Sequence, residues 1–362
     1  LELTSLPILF VAAAAILGGG VDASVSMSGL APSYGANVLA LGALLILWLG
    51  VFGATRALSR RENPQGSSGA DAALRSLIEA AAVALVAAMI LGFARFDSAV
   101  QVSFFAISGS VTTRWGAILL VTFLIVFTAA FASRIRFGRS VGVWQRTTRE
   151  LVWYFALPIG LLSVVAIVLG VAAAVRQESA YLIPVIPLVS VNAGAYGWIL
   201  GQASSVSMSG AGSSSSMFAW QFMQGWTWAL MIGVLLLLLV LSLIIGVRRQ
   251  RATRIVWGRT WQLPAGVLII GVVLMLALTM SLSMPLSSSS TAATFAIAPS
   301  ALTPLIVTAV AWLISIAAEV LPLWVYQAAP NLLSLVAGRR SVAEWVAGTH
   351  APVAAPVPQA AV

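Results

Sequence analysis

The sequence predicts an all-α integral membrane protein: about eight transmembrane helices in parallel helical-hairpin repeats, closed on the extracytoplasmic side by a loop cap. Three observations carry this. First, 60% of the residues are hydrophobic and only 8% are charged, against about 25% charged in a soluble domain. Too little polar surface exists to face water, so lipid must solvate much of the outside. Second, the apolar residues gather into runs of near-spanning length. Third, the arginines flank those runs unequally.

A bilayer is crossed by about twenty apolar residues in a helix. Eight segments meet this length: 5–21, 37–57, 76–95, 116–133, 151–175, 219–247, 263–283 and 302–326. Unpaired backbone groups are too costly in lipid for anything but helices or a closed barrel. The runs show no period-2 alternation, which selects helices. No basic region precedes 5–21, so it reads as a span and not as a cleaved leader. The chain begins with Leu, and a soluble domain ahead of it is compatible with that start.

All nineteen basic residues are Arg, giving a net charge of +9. They do not form one basic face, so nucleic acid is not an expected partner. One side of the eight-span model holds sixteen, including Arg56, Arg75, Arg134, Arg149, Arg248, Arg249, Arg339 and Arg340. The other side holds Arg95, Arg114 and Arg176. The positive-inside rule places the sixteen in the cytoplasm. Both termini are then cytoplasmic, in a bacterial inner membrane. The apolar stretch Tyr181–Gly201 would reverse this bias if it were a ninth span. Pro184 and Pro187 also disfavour a straight helix there. It reads as an interfacial or re-entrant segment on the outer side, within an insertion at 178–202.

The hexapeptide SVSMSG occurs at Ser24–Gly29 and again at Ser205–Gly210. Each copy lies between an outgoing and a returning helix. Weaker relatives occupy the same place at Val102–Gly109 and Met280–Met284. The spacings become nearly equal once the outer insertion is set aside. The chain thus reads as two four-helix repeats, 1–150 and 151–345, followed by a disordered cytoplasmic tail at 346–362. Alternatively, it is four copies of a two-helix hairpin. All copies point the same way, as parallel repeats do. The candidate outer motif is Ser24, Ser26, Ser28 and Gly29 with Ser205, Ser207, Ser209 and Gly210. Its alternation of Ser with apolar residues has the period of a strand. Four such segments pairing would cap the bundle; a polar loop is the other reading. Ser213–Ser216 and Ser287–Ser290 read as flexible outer loop.

Ala80, Ala84, Ala88 and Gly92 recur every fourth residue, a stripe that lets helices approach closely. Trp220, Trp226 and Trp228 at one boundary, and Trp144, Trp153, Trp257 and Trp261 at the other, match interfacial aromatic belts. After Pro330 an apolar stretch with Arg339 and Arg340 reads as a short helix on the cytoplasmic surface.

The chemistry inside the spans is sparse. There is no Cys, and the single His, His350, lies in the tail. Thiol catalysis, Cys-ligated metal, HExxH sites and intramembrane Ser–His pairs are excluded. No pair of intramembrane Asp and no P-loop is present. The chain therefore reads as a non-enzyme, and no cofactor is expected. Glu79 reads as an ion pair with Arg75, and Asp97 as one with Arg95. Asp22 reads as a loop residue. Glu319 alone lies well inside a span, about 10 Å from its inner end at 1.5 Å per residue. It is the candidate functional residue, either protonatable or snorkelling to an Arg.

The segment Asn192–Gly210, NAGAYGWILGQASSVSMSG, in this Ala-rich multi-span setting resembles the streptophobe group of uncharacterised actinobacterial membrane proteins. The resemblance implies a multi-pass fold and no assigned activity. Two roles follow from the sequence. One is a structural or partner-binding protein of the envelope, whose partners are lipid and a second copy or another membrane protein. The other is a transporter with a path between the repeats.

Overall fold

The computed structural model describes residues 17, 21–27, 33–37, 39–62, 69–92, 95–102, 105–134, 143–177, 183, 185–210, 213–222, 225–249, 260–285 and 292–350. The expected first span at 5–21, the ends of the first motif at Ser28 and Gly29, and the run Ser287–Ser290 fall outside these residues.

The helices are α1 (Leu41–Glu62), α2 (Gly69–Gly92), α3 (Trp115–Arg134), α4 (Val143–Arg176), α5 (Ile186–Gly201), α6 (Trp226–Arg248), α7 (Gln262–Ala277), α8 (Thr303–Ala328), α9 (Pro330–Ala337) and α10 (Arg339–His350). Six of them, α1 to α4, α6 and α8, are long and apolar enough to cross a membrane. Their outer surfaces are apolar as well, with Leu77, Leu169, Leu235 and Leu313 exposed. The contact between α2 and α3 uses small residues. Ala72, Ser76, Ala80, Ala84 and Ala88 of α2 are buried, as are Ala129, Ala130 and Ser133 of α3, and α2 packs along α3. Small residues inside and large ones outside is the packing expected where lipid removes the hydrophobic drive between helices.

Several boundaries differ from expectation. The run 263–283 is helical only to Ala277, and Met280 already begins a strand. At 1.5 Å per residue this 16-residue helix is about 24 Å long, short of the bilayer core of about 30 Å. The run 219–247 starts as a 3-10 turn at Ala219–Phe222, and α6 begins only at Trp226. The C-terminal helix continues to His350, past the boundary at 345, because Val342, Trp345 and Val346 pack with Leu243, Val247 and Leu333.

The all-α expectation needs correction at one end of the bundle. Eight strands lie there: β1 (Val21–Met27), β2 (Ser33–Asn37), β3 (Arg95–Val102), β4 (Phe105–Thr112), β5 (Ser205–Gly210), β6 (Ser213–Phe218), β7 (Met280–Pro285) and β8 (Ala292–Pro299). They form one antiparallel sheet in the order β3-β4-β1-β2-β7-β8-β5-β6. The second SVSMSG copy is β5 from end to end. The Ser213–Ser216 run, read as flexible loop, pairs in β6 with β5. Low complexity misled there, since Ser tolerates an extended backbone once a neighbouring strand supplies hydrogen bonds.

Chain order and sheet order are related simply. In each half, the strands of the second hairpin precede those of the first: β3-β4-β1-β2, then β7-β8-β5-β6. The helices repeat the arrangement, with α3 packing on α1 and α2, and α8 on α6 and α7.

The insertion at 178–202 contains α5, whose Pro187 sits in the first turn, where a missing N–H costs nothing. Pro187 therefore begins a helix here and does not break one. This helix reaches the ends of three strands, β5, β7 and β2, and at Tyr196 it also lies against the Ile297 carbonyl of β8. Gly201 ends it just before β5. The Tyr196 hydroxyl donates to the Leu278 carbonyl at 2.6 Å, just before β7. Asn192 bonds the backbone at Leu39 and Leu41, just after β2. Antiparallel to it runs α4. Gly194 admits the Ile159 carbonyl and the Ser163 side chain so closely that a Cβ there would collide with both.

Candidate functional site

At the bundle end away from the sheet, α4, α6 and α8 bring together Glu150, Arg249 and Glu319. Arg249 follows the last residue of α6, where a cation also complements the helix dipole. Its Nε and one terminal nitrogen each donate to Glu150 at 2.8 Å, a bidentate fork. The other terminal nitrogen donates to Glu319 Oε1 at 2.6 Å and to the Ser315 carbonyl at 3.3 Å. The Ser315 hydroxyl accepts a further bond at 3.0 Å. The five bonds match the five N–H donors that a guanidinium carries.

The site is dry. The Arg249, Glu319 and Glu150 side chains are 7%, 3% and 18% exposed. One turn beyond Glu319, Pro322 lacks the N–H that would bond the Ala318 carbonyl. Gly246 of α6 lies against that carbonyl and against the Pro322 ring, where no Cβ fits. The close approach of α6 to α8 is what brings Arg249 over Glu319. Next to it, Arg248 lies 4.3 Å over the Trp153 ring.

The sequence singled out Glu319, and the structure gives it an arginine inside the bundle. Arg249 and Glu150 were not distinguishable in advance. Arg249 is one of five arginines in a single loop, and nothing local marks it. Glu79 is also paired, with Arg134 of α3 and not with Arg75 as the spacing suggested. Arg134 donates to Ser76 as well, at 2.8 Å. The turn-spaced neighbour lost to a partner across the α2–α3 contact.

The outer motif has a structural setting in its second copy. Ser205 is buried, and its hydroxyl bonds that of Ser300, while Ser204 donates to Thr303 at 2.7 Å. Thr303 in turn donates to the Ser205 carbonyl at 3.1 Å, and Ser207 to the Ala298 carbonyl at 3.1 Å. These hydroxyls tie β5, β8 and the start of α8. Ser209 and Gly210 lie at the far end of β5, and Ser24 and Ser26 lie in β1. Beneath this knot the Tyr154 hydroxyl donates to Gln202 at 2.7 Å and Tyr154 meets Trp198 edge to face, both buried in the main core.

Among the described residues no group of three His, Asp or Glu is placed to hold a metal. Compared with family models, curated proteins and solved structures, the chain finds no match.

Proposed function

We propose that this chain is a non-catalytic, eight-span protein of the bacterial inner membrane, built from two parallel repeats, that carries a sheet outside the membrane as an assembly platform. The observation that supports it is the sheet itself. All four hairpins contribute to one eight-stranded surface at one end of the bundle. Glu79, Arg134, Glu150, Arg249 and Glu319 meanwhile form ion pairs that join helices. The repeat reading draws on the shared strand order and helix packing of the two halves. The two spans added to the six long helices are 5–21 and the shorter α7. Orientation comes from the arginines, which place the sheet outside and both termini in the cytoplasm. No cofactor belongs to this reading. The likeness of Asn192–Gly210 to the streptophobe group fits it and adds no activity.

Cysteine labelling tests the placement, on a chain that has no Cys of its own. Cysteines introduced at Ser28 and Ser214 should react with an impermeant maleimide on intact cells. Those at Ser68, Ser140 and Gln250 should react only after the membrane is opened. Labelling of Ser140→Cys from outside would overturn the orientation.

One observation favours a transporter as a second reading: Glu319 is a carboxylate held inside the bundle, 3% exposed. A carboxylate at such depth is a place for a proton or a cation. Ion flux into proteoliposomes separates the readings. The platform expects no flux above protein-free vesicles. A flux present in the wild type and lost in Glu319→Gln, with folded protein retained, would establish the transporter.

A further inference from the structure

The sheet ends on two strands, β3 and β6, that have a partner on one side only among the described residues. We infer that these edges belong together: β6 of one copy pairs antiparallel with β3 of the next, so that the protein assembles edge to edge through its sheet. The inference rests on the proposed placement of the sheet at one face of the membrane.

Direction comes first. Opening strands run away from the helices, as β3 does after α2. Closing strands run back, as β6 does before α6. Copies in one membrane share an orientation and are related by an axis along its normal. Two β6 edges then run the same way, and an antiparallel β6–β6 pair would require one copy to be upside down. A β6 edge meeting a β3 edge is antiparallel with both copies upright.

The chain already makes this junction once within itself. Its halves are joined by β2 and β7, which pair antiparallel with Gly35 opposite Ser283 and Asn37 opposite Ser281. In its half, β2 closes the first hairpin; in the other, β7 opens the second. The strands at those same two places in the opposite halves are β6 and β3. Pairing between copies therefore continues the sheet by a contact type it already contains.

The β6 edge is also open to a neighbour. Ser205 turns its backbone to β8, since its carbonyl accepts from the Ser300 N–H at 3.0 Å. Along a strand the backbone groups alternate sides, so Val206 and Met208 face β6, and Ser207 and Ser209 do not. Their partners Ser216 and Ser214 consequently point their N–H and C=O groups away from β5. The last donor on that side, the Phe218 N–H, is taken by the Gln221 side chain at 2.8 Å, which ends the edge. Ser214, Ser215, Ser216 and Met217 are exposed. Protected edges carry Lys, Pro or a bulge, and β6 carries no charge and no Pro. A contact of one edge with a different edge repeats into a ring or an open row.

The test is cysteine cross-linking in membranes. Asp97→Cys and Ser98→Cys would each be co-expressed, under a different tag, with Ser215→Cys and with Ser216→Cys, then treated with a short bis-maleimide. The expected result is a mixed-tag dimer in at least one pairing. A double variant of that pairing should give a ladder of oligomers. The inference is overturned by a double variant that cross-links only within the monomer, which would mean that the sheet closes on itself. It is overturned equally by β6 variants that cross-link to each other as well as to β3 variants. Absence of any product, with both positions labelled by the impermeant maleimide on intact cells, also overturns it while leaving the outside placement standing. Positions that label only after the membrane is opened would instead remove the placement.

Discussion

Replacing Arg249 with Met should be among the most damaging single changes in this protein. The substitution keeps most of the side-chain volume and removes the charge that two carboxylates share. Breaking a buried ion pair by removing one partner costs about 3–5 kcal/mol, because the partner stays buried and unpaired. Here Glu319 and Glu150, at 3% and 18% exposure, would both lose the guanidinium they share. Removing one carboxylate is different in kind. Glu150→Gln or Glu319→Gln leaves the other carboxylate on the guanidinium, and an amide oxygen that still accepts a hydrogen bond. Each should cost clearly less than Arg249→Met. Replacing all three with apolar residues of similar size should restore much of the loss, since a well-packed apolar set often matches a buried ion network. Thermal unfolding in detergent, followed by size-exclusion of the surviving monodisperse protein, reads the order directly. If Arg249→Met melted with the wild type, the triad would not be holding α4, α6 and α8 together.

Much of the helical framework was legible in advance, for a physical reason. Lipid-facing helices must be apolar all round, and a run such as Trp228–Arg248, with a mean hydropathy of 3.2, announces itself without any knowledge of its neighbours. The Ala stripe of α2 was legible on the same terms, because a four-residue spacing of small side chains has one geometric use. The sheet was half legible. The Ser alternation in SVSMSG has strand period, but strand pairing depends on which segments meet, and the four hairpins are far apart in the chain. The Glu79 partner shows the same limit. Arg75 is one turn away, yet Arg134, which approaches from α3, is the residue that packs there. Local spacing finds candidate faces, whereas partners across a helix contact depend on the packing of both surfaces. The insertion shows another limit. Two prolines in an apolar stretch suggest breakage, but proline in a first helical turn does the opposite, and only the helix start decides which applies.

That insertion also sets the last expectation. Beside the β2–β7 pairing, α5 is a further hold of the second half on the first, and Asn192 is its polar grip. The side chain is buried; its Nδ2 donates to the Leu39 carbonyl at 2.7 Å, and its Oδ1 accepts from the Leu41 N–H at 2.9 Å. The Leu41 N–H lies at the start of α1, where no helical carbonyl precedes to receive it. Next to it, Gly42 comes so close to the carbonyls of Pro187 and Leu188 that a Cβ there would collide with both. Two backbone surfaces are thus in near contact, with Asn192 satisfying the groups that water cannot reach. Asn192→Leu fills the space and strands one donor and one acceptor, at about 1–3 kcal/mol for each buried group left unmade. Asn192→Asp keeps the acceptor but turns a carboxylate oxygen on the Leu39 carbonyl, so it should not rescue the loss. The effect should also be local. Hydrogen exchange should speed up at the β2–α1 junction while the amides of α6 and α8, in the core around Leu241 and Ala311, keep their protection. Unchanged exchange at Leu41 in Asn192→Leu would show that packing, without this amide, holds α5 to the start of α1.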